Sequence, residues 1–305
     1  MDLLLGVAAM VLVGCSWSVD GYVMGKAPRQ GIHIPVLLFL TYLVSTGISG
    51  IAGVVRGFPA VSVNVFLLVF LALFLQGIFN SFQLEVMSRA MQRGPNGIIW
   101  TMTQSGFIFP FAMGILFFQV PLGILRGIGF LLILASLYLF GRSSGGSDGG
   151  TAGKWRLLAV SAFILTGISQ CLSNLPSYSA EASRVTSEWR TFAASLGFMA
   201  GALLMRWRDF GVFLKDVRLG FGSSLIWKYC GLLNLFAIVS SILLLYPGMD
   251  RLSRCGYGAI AYPLMVCSCL IFFELFAILI LHEKRSATQK IALGLCLLGT
   301  IALCR

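Results

Sequence analysis

The chain has 305 residues, of which 58% are hydrophobic and only 11% are charged, and its mean hydropathy is +0.91. Soluble proteins carry about 25% charged residues, so the composition excludes a secreted disulfide scaffold, a disordered regulator and most soluble enzymes. The net charge of +11 comes from Lys and Arg in short connections between apolar runs, where anionic lipid headgroups attract them. We therefore expect a multi-pass protein of the cell (inner) membrane, with the lipid bilayer as a partner and no nucleic acid.

Ten apolar runs follow one another along the chain, and each is close to the length of about 20 residues that crosses a bilayer as a helix. In chain order they are 3–24, 34–55, 62–88, 96–118, 120–140, 155–176, 187–205, 223–246, 256–281 and 286–304. The longest connection, 206–222, mixes charged and aromatic residues, which is typical of a segment lying at the membrane interface. The predicted fold class is all-α and integral to the membrane, with ten transmembrane helices.

A Gly- and Ser-rich linker, 141–154, divides the chain into a first five-helix unit, 1–140, and a second, 155–305. The two units resemble each other in sequence, since Arg93-Gly94-Pro95-Asn96-Gly97 opens the fourth run and Arg254-Cys255-Gly256-Tyr257-Gly258 opens the ninth. Because five is odd, the two copies would cross the membrane in opposite orientations. Inverted repeats of this kind are typical of transporters that bind substrate near the bilayer midplane.

Polar side chains inside the apolar runs predict the interior face of the bundle, because polar groups at bilayer depth need a partner or a wet cavity. In the sixth run they recur at i, i+3, i+4, i+7 and i+8, on one face of a helix: Thr166, Ser169, Gln170, Ser173 and Asn174. In the third run they are Gln76, Asn80 and Gln83. Both stripes indicate either the lining of a cavity for a polyhydroxylated or zwitterionic solute, or hydrogen bonds that join helices.

Other runs contribute further candidate substrate-binding residues. These are Trp17, Trp100, Gln104, Asn234 and Tyr262. An indole beside an amide, as at Trp100 and Gln104, could stack on a sugar or an aromatic ring. Trp is also enriched at membrane interfaces, which is the alternative for Trp100 near the start of its helix.

Two carboxylates are candidates for proton coupling. Glu274 precedes His282 by eight residues, which is about 12 Å of helix, so it lies well inside the apolar slab, where a carboxylate is a functional candidate by default. A buried ion pair with Lys228 is the competing interpretation. Asp20 falls late in the first run, and the favoured interpretation there is a solvated carboxylate at a helix end.

Metal, cofactor and nucleotide sites are not expected. The eight cysteines lie mostly in apolar runs without a Cys-x-x-Cys, only two histidines exist, and no Gly-x-x-x-x-Gly-Lys-Ser/Thr loop occurs. Glu85 is expected to pair locally with Arg89. The Gly-x-x-x-Gly pairs that begin at Gly123 and Gly197 permit close helix contacts, either within the chain or in a homodimer.

The layout of five plus five helices over the whole chain resembles the drug/metabolite transporter superfamily, as in its ten-helix EamA-like permeases. The sequence 281–285 with the Gly-containing run 291–299, Pro110 in the fourth run and the entry 93–97 carry this resemblance. The turn at 281–285, which contains Glu283, and the polar sixth run are similar to the sugar-uptake branch of rhamnose and glucose/ribose porters. The resemblance implies a central cavity and cytoplasmic termini, whereas the distribution of Lys and Arg favours both termini outside, so the orientation stays open.

The sequence therefore predicts a secondary active transporter that moves a small polar organic solute, such as a sugar or a similar metabolite, by proton-coupled alternating access. One alternative is an efflux permease for amphipathic drugs, amines or amino acids. A third, from another class, is an intramembrane enzyme or lipid-handling protein, although such an enzyme would be expected to carry a His/Asp/Glu cluster on its spanning helices. We expect no enzymatic activity.

Overall fold

The computed structural model describes residues 1–94, 96–143, 152–279 and 287–303, and this part of the chain is helical without β-strands. The helices are α1 (Asp2–Lys26), α2 (Ile34–Arg56), α3 (Val63–Met91), α4 (Asn96–Gln104), α5 (Ile108–Leu116), α6 (Ile124–Ser143), α7 (Ala152–Asn174), α8 (Ser187–Met205), α9 (Phe210–Phe221), α10 (Ser224–Ser240), α11 (Tyr246–Arg254), α12 (Ala261–Leu279) and α13 (Ala287–Leu303). Short 3-10 turns connect several of them. Most of the predicted linker lies outside the described residues.

Six helical segments in the described part of the chain are long and apolar enough to cross a membrane, as expected of a multi-pass membrane protein. They are Asp2–Gln30, Ile34–Arg56, Val63–Met91, Ile99–Leu116, Trp155–Tyr178 and Ser224–Arg254. Shorter apolar stretches lie in α6, α12 and α13. The remaining predicted run, 187–205, corresponds to α8, which carries Glu188 and Arg190 near its start.

Two apolar runs that the sequence predicts as regular helices change their helix type just before a proline. Between α4 and α5 the chain forms a 3-10 turn, Ser105–Phe107, because Pro110 lacks an N–H and its ring clashes with the carbonyl of Gly106 four residues earlier. Between α10 and α11 it forms a π-helical turn, Ser241–Leu245, just before Pro247 in the first turn of α11. The eighth run therefore continues as helix to Arg254 rather than ending at 246.

The predicted interface segment contains an amphipathic helix, α9. Its buried residues, Phe213, Val217 and Gly220, recur at i, i+4 and i+7, and Phe213 packs edge-on against Phe39 of α2 with ring centroids 5.7 Å apart. Lys215, between them on the opposite face, is exposed. The helix thus covers α2 with one face and exposes charge on the other.

Helices α3 and α8 pack so closely that only glycine fits at their contact. A methyl group on Gly197 would overlap the carbonyl oxygen of Phe74, and one on Gly77 would overlap the carbonyl oxygen of Ala194. A methyl group on Gly201 would overlap the hydroxyl of Ser81. The second Gly-x-x-x-Gly pair therefore mediates a contact within the chain.

The first Gly-x-x-x-Gly pair makes no comparable contact. Around both Gly123 and Gly127 the described part of the chain leaves open space.

Candidate functional site

Helices from both halves of the chain surround a cavity of about 120 Å³, which gives room for several water molecules or a small solute. Its wall comes from α1, α2, α3, α4, α7, α8 and α12, and from the end of α10 with the π-helical turn and the start of α11. Amides, hydroxyls and aromatic rings dominate the wall, with Leu84, Ala194 and Leu245 as its aliphatic members. A polar cavity thus lies inside a chain whose composition is largely apolar.

Most of the predicted substrate-binding residues line this cavity: Trp17, Gln76, Asn80, Gln83, Trp100, Gln104, Thr166, Gln170 and Tyr262. Ser169 and Ser173 of the sixth-run stripe lie there too. The indole of Trp100 is buried in this wall. Trp100 therefore contacts the cavity rather than the outer surface of the bundle.

Two predicted residues, Asn174 and Asn234, do not contribute to the cavity wall. Asn174 is fully buried at the end of α7, where its Nδ2 donates to Tyr178 Oη at 3.2 Å and to the Gly258 carbonyl at 3.4 Å. The Nδ2 of Asn234 donates to the carbonyl of Cys230 in its own helix at 2.9 Å. The Nδ2 of each amide is therefore engaged in local structure, while each Oδ1 is buried without a partner among the described residues.

The two polar stripes meet where α3 packs against α7. Gln76 Nε2 donates to Ser169 Oγ at 3.3 Å, and the Ser169 hydroxyl donates to the backbone carbonyl of Gln76 at 3.5 Å. Thr166 donates to the carbonyl of Ala162 in its own helix. The same residues thus join the helices and line the cavity, so the two interpretations of the stripes are compatible.

Three amide oxygens in this wall have no hydrogen-bond partner among the described residues. They belong to Gln76, Gln104 and Gln170, and all three oxygens are buried. A buried acceptor left without a donor costs about 1–3 kcal/mol. A bound molecule that donates hydrogen bonds would recover that free energy.

Asp20 lies in the cavity wall rather than at a solvated helix end, which corrects the favoured interpretation of this residue. Helix α1 continues to Lys26, so Asp20 is more than one turn from its end, and the residue is only partly exposed. The structure records no hydrogen bond or ion pair to it within the described residues. Trp17, one turn earlier, also lines the cavity and packs near Tyr262 with ring centroids 6.1 Å apart.

The second carboxylate, Glu274, lies on α12, but its side chain is outside the described residues, and so is its predicted pair with Lys228. The predicted local pair of Glu85 and Arg89 is present in α3. Within the ranges described, no three His, Cys, Asp or Glu side chains gather as metal ligands. The described cysteines form no disulfide.

Helices α2 and α8 also contribute to the cavity wall, and none of their residues was predicted to do so. Tyr42 and Ser45 of α2 and Thr191 and Ser195 of α8 line the cavity, and Tyr42 stacks on Phe198 with ring centroids 3.7 Å apart. The available signal was the four-residue spacing of Thr191 and Ser195, which places both hydroxyls on one helix face. Single hydroxyls are weaker markers than long amides, because they can donate to the preceding turn of their own helix.

No family model matches the chain, and no curated protein matches it. A solved structure, described only as the crystal structure of a protein, shares 15% sequence identity with it. The alignment covers 97% of this chain and 96% of that one with a TM-score of 0.64. This likeness extends over almost the whole chain and concerns the fold alone.

Proposed function

We propose that the protein is a secondary active transporter that moves a small polar organic solute across the cytoplasmic membrane by alternating access. The observation that carries this proposal is the cavity, where polar side chains from both halves of the chain converge. The unpartnered oxygens of Gln76, Gln104 and Gln170 would accept hydrogen bonds from solute hydroxyl or amino groups. Polar residues inside a membrane are costly, and they mark solute pathways in membrane proteins.

The helix contacts support two equivalent five-helix repeats, 1–140 and 155–305, and with five spans in each the second repeat would be inverted relative to the first. The main contacts are preserved when equivalent helices of the two repeats are exchanged. The equivalent helices are α1 and α7, α2 and α8, α3 and α10 with α11, α4 with α5 and α12, and α6 and α13. Thus α3 packs on α7 as α10 and α11 pack on α1, and α4 and α5 pack on α7 as α12 packs on α1. The pairs α2 with α8 and α6 with α13 exchange with themselves. Rocking of one repeat against the other would alternate the access to a site between them.

A sugar or a similar metabolite is the proposed solute class, in line with the amide-rich wall and with the resemblance to the drug/metabolite transporter superfamily and its sugar-uptake branch. Asp20 is the proposed proton carrier. It is the one acidic side chain of the described cavity wall, and a carboxylate there can bind a proton on one side of the membrane and release it on the other.

An efflux permease for amphipathic amines, drugs or amino acids is the second candidate. It is favoured by the same carboxylate together with the aromatic rings of Trp17, Trp100 and Tyr262 in the wall. A carboxylate near aromatic faces attracts organic cations through charge and through the ring quadrupoles.

Thermal unfolding of the purified protein in detergent distinguishes the two candidates, because a ligand that binds the native state stabilises it by mass action. The probes are D-glucose, D-ribose and L-rhamnose on one side, and tetraphenylphosphonium and ethidium on the other. The first candidate predicts stabilisation by a sugar that Gln170→Leu diminishes, followed by uptake of that sugar into proteoliposomes. The second predicts stabilisation by a cation that Asp20→Asn abolishes. Binding of a probe that ignores both substitutions would place its site outside the cavity and contradict both.

A further inference from the structure

A second, open pocket of about 260 Å³ lies at the end of the bundle where α2 and α11 finish and α8 begins. Its wall contains four arginines, Arg56, Arg184, Arg251 and Arg254, and one acidic residue, Asp250. We call this pocket the vestibule. Glu188, close by, is paired with Arg56 at 2.6 Å, so arginine charge exceeds acidic charge around it.

Helices α8 and α11 both run from the vestibule to the central cavity. On α8, Ser187 lines the vestibule and Thr191, one turn further, lines the cavity. On α11, Tyr246 lines the cavity and Asp250, one turn further, lines the vestibule. The two chambers are therefore about one helical turn apart along each helix.

The buried ion pair of Arg190 and Asp250 lies at this junction. Arg190 is fully buried and donates to Asp250 Oδ1 at 3.0 Å and to the Ala182 carbonyl at 3.1 Å. Its guanidinium carbon also lies 5.6 Å from the ring centroid of Tyr246. One side chain thus connects α8, α11 and the turn before α8, between the two chambers.

We infer that the Arg190–Asp250 pair is the gate that separates the cavity from the vestibule, and that the solute passes through the vestibule when this pair opens. The inference rests on the proposed transport and adds the location of one closure. A buried ion pair contributes little net stability compared with apolar packing, because both charges lose their hydration. Here the Nε of Arg190 is also buried without a partner, so this closed arrangement does not satisfy every donor.

The π-helical turn supplies a hinge for such a gate. Ser241 and Leu245, at its two ends, line the cavity, and α11, which carries Asp250, follows directly. π-helical turns interrupt the regular hydrogen-bond ladder and occur frequently at functional sites. Rotation at this turn would move Asp250 away from Arg190 without unfolding α11.

The gate can be tested by the reaction rate of a cysteine placed in the cavity. Ser195→Cys supplies that cysteine, and native Cys255, which is exposed beside Arg254, reports which face of a sealed vesicle presents the vestibule. An impermeant sulfonate thiol reagent is added to right-side-out and inside-out vesicles, and the labelling rate of each cysteine-containing peptide is followed by mass spectrometry. The unsubstituted protein gives the background from the other native cysteines.

From the face that labels Cys255, we expect slow labelling of Ser195→Cys, and we expect Asp250→Asn to accelerate it about tenfold or more, equivalent to about 1.4 kcal/mol. Arg190→Gln is the second variant, should the first fail to fold. Glu188→Gln is the matched control, because it breaks the neighbouring Arg56 pair of the same helix and should leave the rate unchanged.

Equal acceleration by Glu188→Gln and Asp250→Asn, or fast labelling with the pair intact, would overturn the gate. The labelling rate requires no solute. A gate that opens in a protein without any flux would therefore contradict the proposed transport and the passage of solute, but not the closure of the cavity by the Arg190–Asp250 pair.

Discussion

Replacing Gln170 by leucine should weaken solute binding without destabilising the empty protein. The residue is 5% exposed, lines the cavity, and keeps a buried Oε1 without a partner in the described structure. Leucine has a similar volume, and the Gln170 oxygen makes no hydrogen bond to another helix, so the free energy of unfolding of the empty protein should stay within about 1 kcal/mol of its original value. The dissociation constant of a solute that donates to this oxygen should rise about tenfold, or about 1.4 kcal/mol.

Ser136→Ala is the matched control, because Ser136 is also buried but does not line the cavity. Its hydroxyl donates to the Ala292 carbonyl at 2.7 Å, between α6 and α13. Its loss should destabilise the protein by about 1 kcal/mol and leave binding unchanged. Both variants are followed by tryptophan fluorescence during unfolding in detergent, with and without solute. If Gln170→Leu destabilises the empty protein as Ser136→Ala does and leaves binding unchanged, the amide only joins helices and the reasoning fails.

Further predictions concern the carboxylate and the glycine contact. In proteoliposomes, Asp20→Asn should abolish the accumulation of solute driven by a pH gradient but keep the exchange of solute at equal concentrations. Asp2→Asn, at the exposed start of α1, is the control and should change neither activity. Intact accumulation in Asp20→Asn would exclude Asp20 as the proton carrier. Gly197→Ala should destabilise the protein by about 1–3 kcal/mol, because its methyl group meets backbone that cannot move aside. Gly211→Ala, in open space on α9, should be neutral or slightly stabilising, and equal unfolding curves for the two variants would contradict the close contact.

The spacing of long polar side chains predicted much of the candidate site. Gln76, Asn80 and Gln83 on α3 and Thr166 and Gln170 on α7 are all found in one cavity wall. The reason is that a glutamine in an apolar helix has few stable alternatives to a polar interior, so its position along the helix fixes the face that turns inward. Trp100 and Tyr262 were proposed for the chemistry of their rings rather than for their spacing, and they line the same cavity.

Local hydrogen bonds explain why the spacing of polar residues did not place Asn174 and Asn234 correctly relative to the cavity. The amide of Asn234 is engaged by a carbonyl one turn back, and that of Asn174 by a neighbouring turn, and neither partner is visible in a spacing pattern. The favoured interpretation of Asp20 was wrong because α1 ends at Lys26, beyond the predicted end of the first run at residue 24. Boundaries of apolar runs are poorly determined by composition, and for Asp20 the boundary decided the interpretation.

Contacts outside the cavity determine its width. On α3, Gly77 and Ser81 face α8, whereas Gln76 and Asn80, one position earlier and therefore rotated by about 100°, face the cavity. The close approach of backbone at Gly77 and Gly197 thus sets the distance between two walls of the site. A methyl group on Gly197 would push α8 away and displace the cavity hydroxyls of α8 from the amides of α3. We therefore expect Gly197→Ala to weaken solute binding as well as folding, although Gly197 does not line the cavity.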